Sequence, residues 1–167
     1  VTFITKKRNH VLDITLDELK ELADFEITND DNNVRINVKK ILKIGVSIGF
    51  AVKTPYKSTC SIRTSGGNIS ASNVIGNHDF KTSGGNLNFE NISGKIIANT
   101  SGGNIKINNS KADIISETSG GNVSMGNIEG NIKTYTSGGN ITITNAKFDV
   151  IAETSGGSID LTEVQGL

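Results

Sequence analysis

The chain has no tryptophan, one cysteine, one proline, one methionine and two histidines among its 167 residues. Cys60 has no second cysteine to pair with, which excludes an intrachain disulfide framework and any multi-cysteine metal site. With His10 and His78 alone, histidine-based catalytic constellations have little to draw on, and neither metal-ligand spacing nor a nucleophile elbow accompanies them. Hydrophobic residues make up 35%, low for a compact globule but sufficient for a thin stack whose core is one or two side chains wide. No run approaches the roughly 18 consecutive apolar residues of a membrane-spanning helix. Charge of one sign is also missing. Seventeen Lys and Arg balance seventeen Asp and Glu, which removes the footprint that a nucleic-acid or anionic-membrane binder needs. No nucleic-acid partner, transmembrane segment, metal or cofactor is expected.

What the chain does have is a repeat. Thr-Ser-Gly-Gly-Asn opens at Thr64, Thr82, Thr100, Thr118 and Thr136 and returns as Thr-Ser-Gly-Gly-Ser at Thr154, so the starts advance by 18 residues without a slip. A unit this short cannot bury its own apolar face, and successive units must stack into one continuous core. The expected fold class is all-β: a single-stranded parallel β-helix, or β-solenoid, with 18-residue coils.

Counting each repeat from its Thr, position six holds Ile69, Leu87, Ile105, Val123, Ile141 and Ile159, and position eight holds Ala71, Phe89, Ile107, Met125, Ile143 and Leu161. That alternation marks a strand with one buried face. A second apolar set falls at odd positions: eleven (Val74, Ile92, Ile128, Ala146, Val164), fifteen (His78, Ile96, Ile114, Ile132, Val150) and seventeen (Phe80, Ala98, Ala152). An inward series changes parity only where the chain turns, so each coil should contain two strands and two corners. One corner is Ser-Gly-Gly, where paired glycines are expected to supply positive φ. The other lies at position ten, where Asn73, Asn91, Asn109, Asn127 and Asn145 give way to Glu163. Asn tolerates the left-handed conformation, and stacked copies can form an amide ladder.

The stack should begin one coil before the motif does. Counting back 18 places Tyr56, Cys60 and Ile62 at inward positions eleven, fifteen and seventeen, with residues 44–52 as an entering strand. Residues 1–43 are expected to form an N-terminal cap and residues 44–167 the solenoid. Within the cap, residues 1–5, 25–28 and 34–38 read as short strands, the last two joined by the turn-rich Asn29-Asp30-Asp31-Asn32-Asn33. Between them, Thr15 and Glu18 make a capping box and Ile14 and Leu19 a hydrophobic staple, predicting one short helix.

Four functional readings compete. The Cys60–His78 adjacency across coils suggests a reactive pair, but a dry inward position favours a structural Cys and a structural His. Calcium-binding β-rolls share the 18-residue advance, yet this chain has neither their nine-residue sub-period nor an Asp column. A Thr column suggests an ice- or crystal-binding face, but Thr shares the parity of the inward positions and should bond a corner backbone group instead. β-Helix polysaccharide enzymes need clustered carboxylates or bases, and the outward position fourteen is mixed: Asn77, Lys95, Asp113, Asn131 and Asp149.

One outward feature stands apart. Position sixteen holds Asp79, Ile97, Ile115, Lys133 and Ile151, so three large β-branched side chains are directed away from the core. The last repeat, from Thr154, supplies fourteen of its eighteen positions, and its lower edge beside Leu161 and Val164 is expected to lie open. The candidate interaction surface is therefore Ile97, Ile115 and Ile151, the edge at Leu161 and Val164, or both. Self-association through that edge is an expected possibility.

The run TSGGNISASNVIGNHDFKTSGGNLNFENISGKIIANTSGGNIKINNS, continued by ETSGGNVSMGNIEGNIKTYTSGGNITI, resembles the bacterial adhesin-type repeat family also called toastrack domains. The approach segment IGVSIGFAVKTPYKSTCSIRTSGGNIS is similar to that family's extended strand and proline-containing turn before the first coil. The resemblance implies an exported bacterial protein, at the cell surface, in the periplasm or outside the cell. It brings no catalytic residues. The expectation is a non-catalytic, adhesin-like envelope module that binds a protein or glycan ligand, set against two alternatives: a polysaccharide-acting enzyme and a structural or regulatory envelope spacer.

Overall fold

The computed structural model describes residues 2–7, 10–12, 21, 23–30, 33–41 and 46–166. Two units divide the chain, Val1–Lys53 and Thr54–Leu167.

The described residues of the first unit form five strands: β1 (Thr2–Lys7), β2 (His10–Leu12), β3 (Ala23–Asp30), β4 (Asn33–Ile41) and β5 (Val46–Ala51). β3 and β4 form the antiparallel hairpin expected around the Asn/Asp-rich turn, longer than the sequence suggested and interrupted by an irregularity between Asp24 and Phe25. β1 pairs antiparallel with both β2 and β5. Of the entering strand expected over residues 44–52, the described part, Val46–Ala51, pairs with β1 instead. β5 aligns Phe50 with Phe3 and Ile48 with Thr5 inside the first unit, and the division falls after Lys53, downstream of the 43/44 boundary drawn from sequence. Period-two alternation marks a strand but not its partner, and a hairpin satisfies it as well as a coil does. The helix predicted around residues 14–22 lies outside the described residues, Glu21 excepted, and among the described residues there is no helix.

The second unit is the predicted parallel β-solenoid. β6 (Cys60–Thr64) is followed by three long strands, β7 (Ile69–Thr82), β8 (Leu87–Thr100) and β9 (Ile105–Thr118). The next coils are divided in two, as β10 (Val123–Ile128) with β11 (Ile132–Thr136) and β12 (Ile141–Ala146) with β13 (Val150–Thr154), and β14 (Ile159–Val164) ends the series. Every pairing among them is parallel and in register at the repeat: Leu87 lies beside Ile105, Ile105 beside Val123, and Val123 beside Ile141. Positions six and eight are buried from Leu87 and Phe89 to Ile141 and Ile143, as are Ile96, Ile114 and Ile132 from the odd series. The core therefore consists of apolar columns that run from coil to coil, several to each strand, with Phe80 stacked on Phe89 (ring centroids 4.4 Å apart) at its upper end.

Of the two parity changes in a coil, one occurs at position ten and the other at the Ser-Gly-Gly corner, between buried Thr100 and buried Ile105 in one coil. Asn73, Asn91, Asn109, Asn127, Asn145 and Glu163 have φ between 50° and 58°, so one left-handed residue redirects the chain while β7, β8 and β9 continue through it. The first three coils consequently carry a single bent strand where two were expected. The amide ladder is present: Asn127 Nδ2 donates to Asn109 Oδ1 at 2.7 Å, and Asn145 Nδ2 donates to Asn127 Oδ1 at 2.8 Å.

The Ser-Gly-Gly corner works differently from the expectation. None of these glycines has positive φ; among the described residues the glycines that do are Gly76, Gly94 and Gly130, at position thirteen. Position four is glycine because coils approach closely there. A Cβ on Gly103 would stand 1.9 Å from the carbonyl oxygen of Gly85, whereas one on Gly102 would meet nothing nearer than 3.9 Å. Two adjacent glycines thus have unequal roles that sequence does not separate.

The half-coil before the motif is looser than the register predicted. Cys60 pairs with His78, but Tyr56, assigned to an inward position, is 62% exposed.

Candidate functional site

The Thr column is consumed by structure. Thr118 donates its hydroxyl to the Gly103 carbonyl one coil above (2.9 Å) and accepts from the Gly121 N–H of its own coil (3.2 Å). The same pair of bonds recurs at Thr82, Thr100, Thr136 and Thr154. A hydroxyl bonded on both sides and buried at Thr118 and Thr136 presents nothing to a lattice. Asn at position five, which sequence did not single out, carries a second ladder: Asn104 Oδ1 accepts the Asn122 N–H, and Asn122 Oδ1 the Asn140 N–H, each at 2.8 Å.

The Cys60–His78 pair is brought together through backbone. The Cys60 N–H donates to His78 Nδ1 at 3.3 Å, which leaves the ring proton on Nε2, a buried atom with no partner. Burial pushes the Cys60 thiol up from its ordinary range and the His78 imidazole down. Both shifts favour the neutral forms, the opposite of a thiolate–imidazolium pair.

Position sixteen forms one continuous outer column. Asp79, Ile97, Ile115, Lys133 and Ile151 lie side by side on successive coils, each in direct register with the next. Ile115 is 42% exposed and Ile151 52%, while Ile97 is half-buried. The parity that buries Ile114 and Ser116 turns Ile115 and Glu117 outward, and the same holds for Lys133 and Tyr135 between Ile132 and Thr136. Tyr135 was missed in the sequence. It stands beside Glu117 and Glu153, with its hydroxyl 3.2 Å from Ser137 Oγ and 3.4 Å from Ser155 Oγ. These hydroxyl contacts draw its pKa below the usual phenol value, against the opposing carboxylates. Ile115, Tyr135 and Ile151 line a shallow groove of about 110 Å³.

Leu161 and Val164 do not join that face. They occupy inward positions eight and eleven on β14, where Leu161 is 46% exposed and Val164 half-buried. A second depression, about 360 Å³, lies on the outer side of β7–β9 among Ser70, Ser72, Asn88, Glu90 and Lys106. Its carboxylate, Glu90, accepts a hydrogen bond from Asn109 Nδ2.

Further round the coil, Glu129 bridges Lys147 (2.7 Å) and Lys111 (2.9 Å), joining three coils. Hydrogen bonds and charge from Lys147 and Lys111 hold its carboxyl at about 2. Among the described residues no group of three or more His, Cys, Asp and Glu side chains is placed to hold a metal ion, and no helix is long and apolar enough to cross a membrane. Comparison with protein-family models, with characterised proteins and with solved structures gave no match.

Proposed function

We propose that this chain is a non-catalytic, adhesin-like binding module of the bacterial envelope, in which the solenoid is a rigid scaffold for an outer recognition face. The observation that carries the reading is the in-register position-sixteen column, with Ile115 and Ile151 exposed on either side of Lys133 on a backbone that cross-coil ladders fix in place. Exposed aliphatic side chains on a pre-ordered surface give a partner apolar contact at little cost in ordering entropy. Export rests on the resemblance of the TSGG repeats to the adhesin-type family. The ligand is a protein or glycan of the cell surface.

The test uses the full chain and its I97T/I115T/I151T variant, in which Thr keeps the β-branch and strand propensity while removing apolar surface. Sedimentation with bacterial envelope fractions should retain the parent and release most of the variant. Protease accessibility on intact cells should place the native protein outside the cytoplasm. Equal retention of both proteins refutes the face, and protection from protease in intact cells together with release from a cytoplasmic fraction refutes export.

A further inference from the structure

The outer face is not uniform along the stack. Its upper coils carry Lys81 and Lys95, with Arg63 paired to Asp79, whereas the lower coils concentrate acid around the exposed isoleucines. β9 presents Asp113, Ile115 and Glu117 at alternate outward positions, and the chain at β13 repeats the pattern with Asp149, Ile151 and Glu153. Between them runs the coil of Lys133 and Tyr135, in direct register with both. Four carboxylates therefore frame two isoleucines and a tyrosine, with Lys133 among them and Lys95 in register with Asp113 at their upper margin. Asp113 Oδ1 accepts the Asn131 N–H at 2.9 Å, and among the described residues none of the four is ion-paired. In a chain whose charges balance overall, this is a local segregation.

Resting on the reading of this face as a recognition surface, we infer that its partner is an extended basic segment of another protein with the pattern basic-x-apolar-x-basic. Charge complementarity selects the cation, and the spacing selects the pattern. Residues four apart in a strand lie about 13 Å apart, so the Asp-x-Ile-x-Glu lines of this face and an extended Arg-x-Ile-x-Arg line share one period of two. Basic side chains then meet Asp113 and Glu117, or Asp149 and Glu153, while the central apolar side chain meets Ile115 or Ile151. Tyr135, between Glu117 and Glu153, offers a ring against which a guanidinium stacks while it pairs with either carboxylate. Lys133 opposes this partner, so its removal should strengthen binding.

The probe is a fluorescein-labelled peptide alternating Arg and Ile with Ser between them, measured by anisotropy against the full chain. Controls are the same peptide with Glu for Arg, a permuted peptide with its Arg residues contiguous, and a neutral β-linked hexasaccharide as competitor. Saturable binding that weakens with salt is expected, roughly fivefold weaker in E117Q/E153Q and tighter in K133E. All changed side chains point outward, and matched thermal melts will confirm the fold of each variant. Equal binding of the Glu peptide, equal binding of the permuted peptide, indifference to E117Q/E153Q, or binding of the hexasaccharide alone each overturns the inference. If I97T/I115T/I151T loses envelope retention but no basic peptide binds, the basic partner is wrong and the recognition face stands. If the peptide binds as described while envelope retention ignores the three isoleucines, the envelope reading is the one that fails.

Discussion

The Thr118 hydroxyl donates to the Gly103 carbonyl at 2.9 Å, tying its coil to the one above at a corner where the neighbouring coil leaves no room for a Cβ on Gly121. That bond and its counterpart from Gly121 N–H make Thr118 a buried, doubly satisfied polar group. Thr118→Val keeps the shape and orphans a buried N–H and a buried C=O. It should cost about 1–3 kcal/mol for each group left without a partner. Thr118→Ser keeps the hydroxyl and should cost much less. Urea melts of the two variants check the difference.

The two central corner glycines should respond in opposite ways. Gly103→Ala drives a methyl into the Gly85 carbonyl at 1.9 Å, and the rigid stack has no room to yield. A loss of more than about 3 kcal/mol is expected. Gly102→Ala meets nothing within 3.9 Å and should stay within about 1 kcal/mol of the parent. Thermal melts of the pair distinguish close approach from a positive-φ requirement, under which both would be damaging.

His78 should make stability fall in mild acid. Burial holds its folded pKa below the ordinary 6.5, so the unfolded chain binds the proton first. Stability is therefore full above about pH 6.5 and declines as pH falls toward the lowered folded value. At the same register β6 presents Cys60 and β8 presents Ile96, neither of which supplies a compensating charge, while the Arg63–Asp79 pair lies on the outer side. His78→Ile, matching Ile96, Ile114 and Ile132, should remove this slope and raise the melting temperature. Melts between pH 5 and 8 provide the measurement.

Glu129 should titrate far below the ordinary glutamate range. Held at about 2 by Lys147 and Lys111, its contribution is present above the unfolded value of 4.5 and lost only as pH falls through about 2. The group is on the surface, so the effect on stability is small and screened by salt. Carboxyl chemical shifts followed by NMR should place Glu129 well below the ordinary glutamate midpoint, and K111Q/K147Q should return it there.

Much of the solenoid is legible in the sequence because an exact repeat converts each position into a column. Ile105, Ile107 and Ile114 are buried where parity placed them, and Asn109 turns the chain where its chemistry allows. What a column cannot report is the distance between neighbouring coils. Gly102 and Gly103 look equivalent until the Gly85 carbonyl is placed beside one of them. Nor does alternation name a partner, which is why Val46–Ala51 lies against β1 and not in the stack. At the candidate face, the isoleucines stood out as misplaced hydrophobics. Tyr135 did not, although its parity matches theirs, because the residues at its position are otherwise Lys81, Asn99, Glu117 and Glu153 and form no apolar column.

The central claim is that recognition takes place on the outer face of the lower coils. Hydroxyl-radical footprinting of the full chain, alone and mixed with envelope fractions that retain it, tests this most directly, because tyrosine and the exposed aliphatic side chains report their own accessibility. Bound chain should show strong protection at Tyr135, Ile115 and Ile151, with Tyr56 and Phe148 unchanged. Undiminished reactivity of Tyr135 and Ile151 in the bound state, with protection elsewhere on the solenoid, would contradict it.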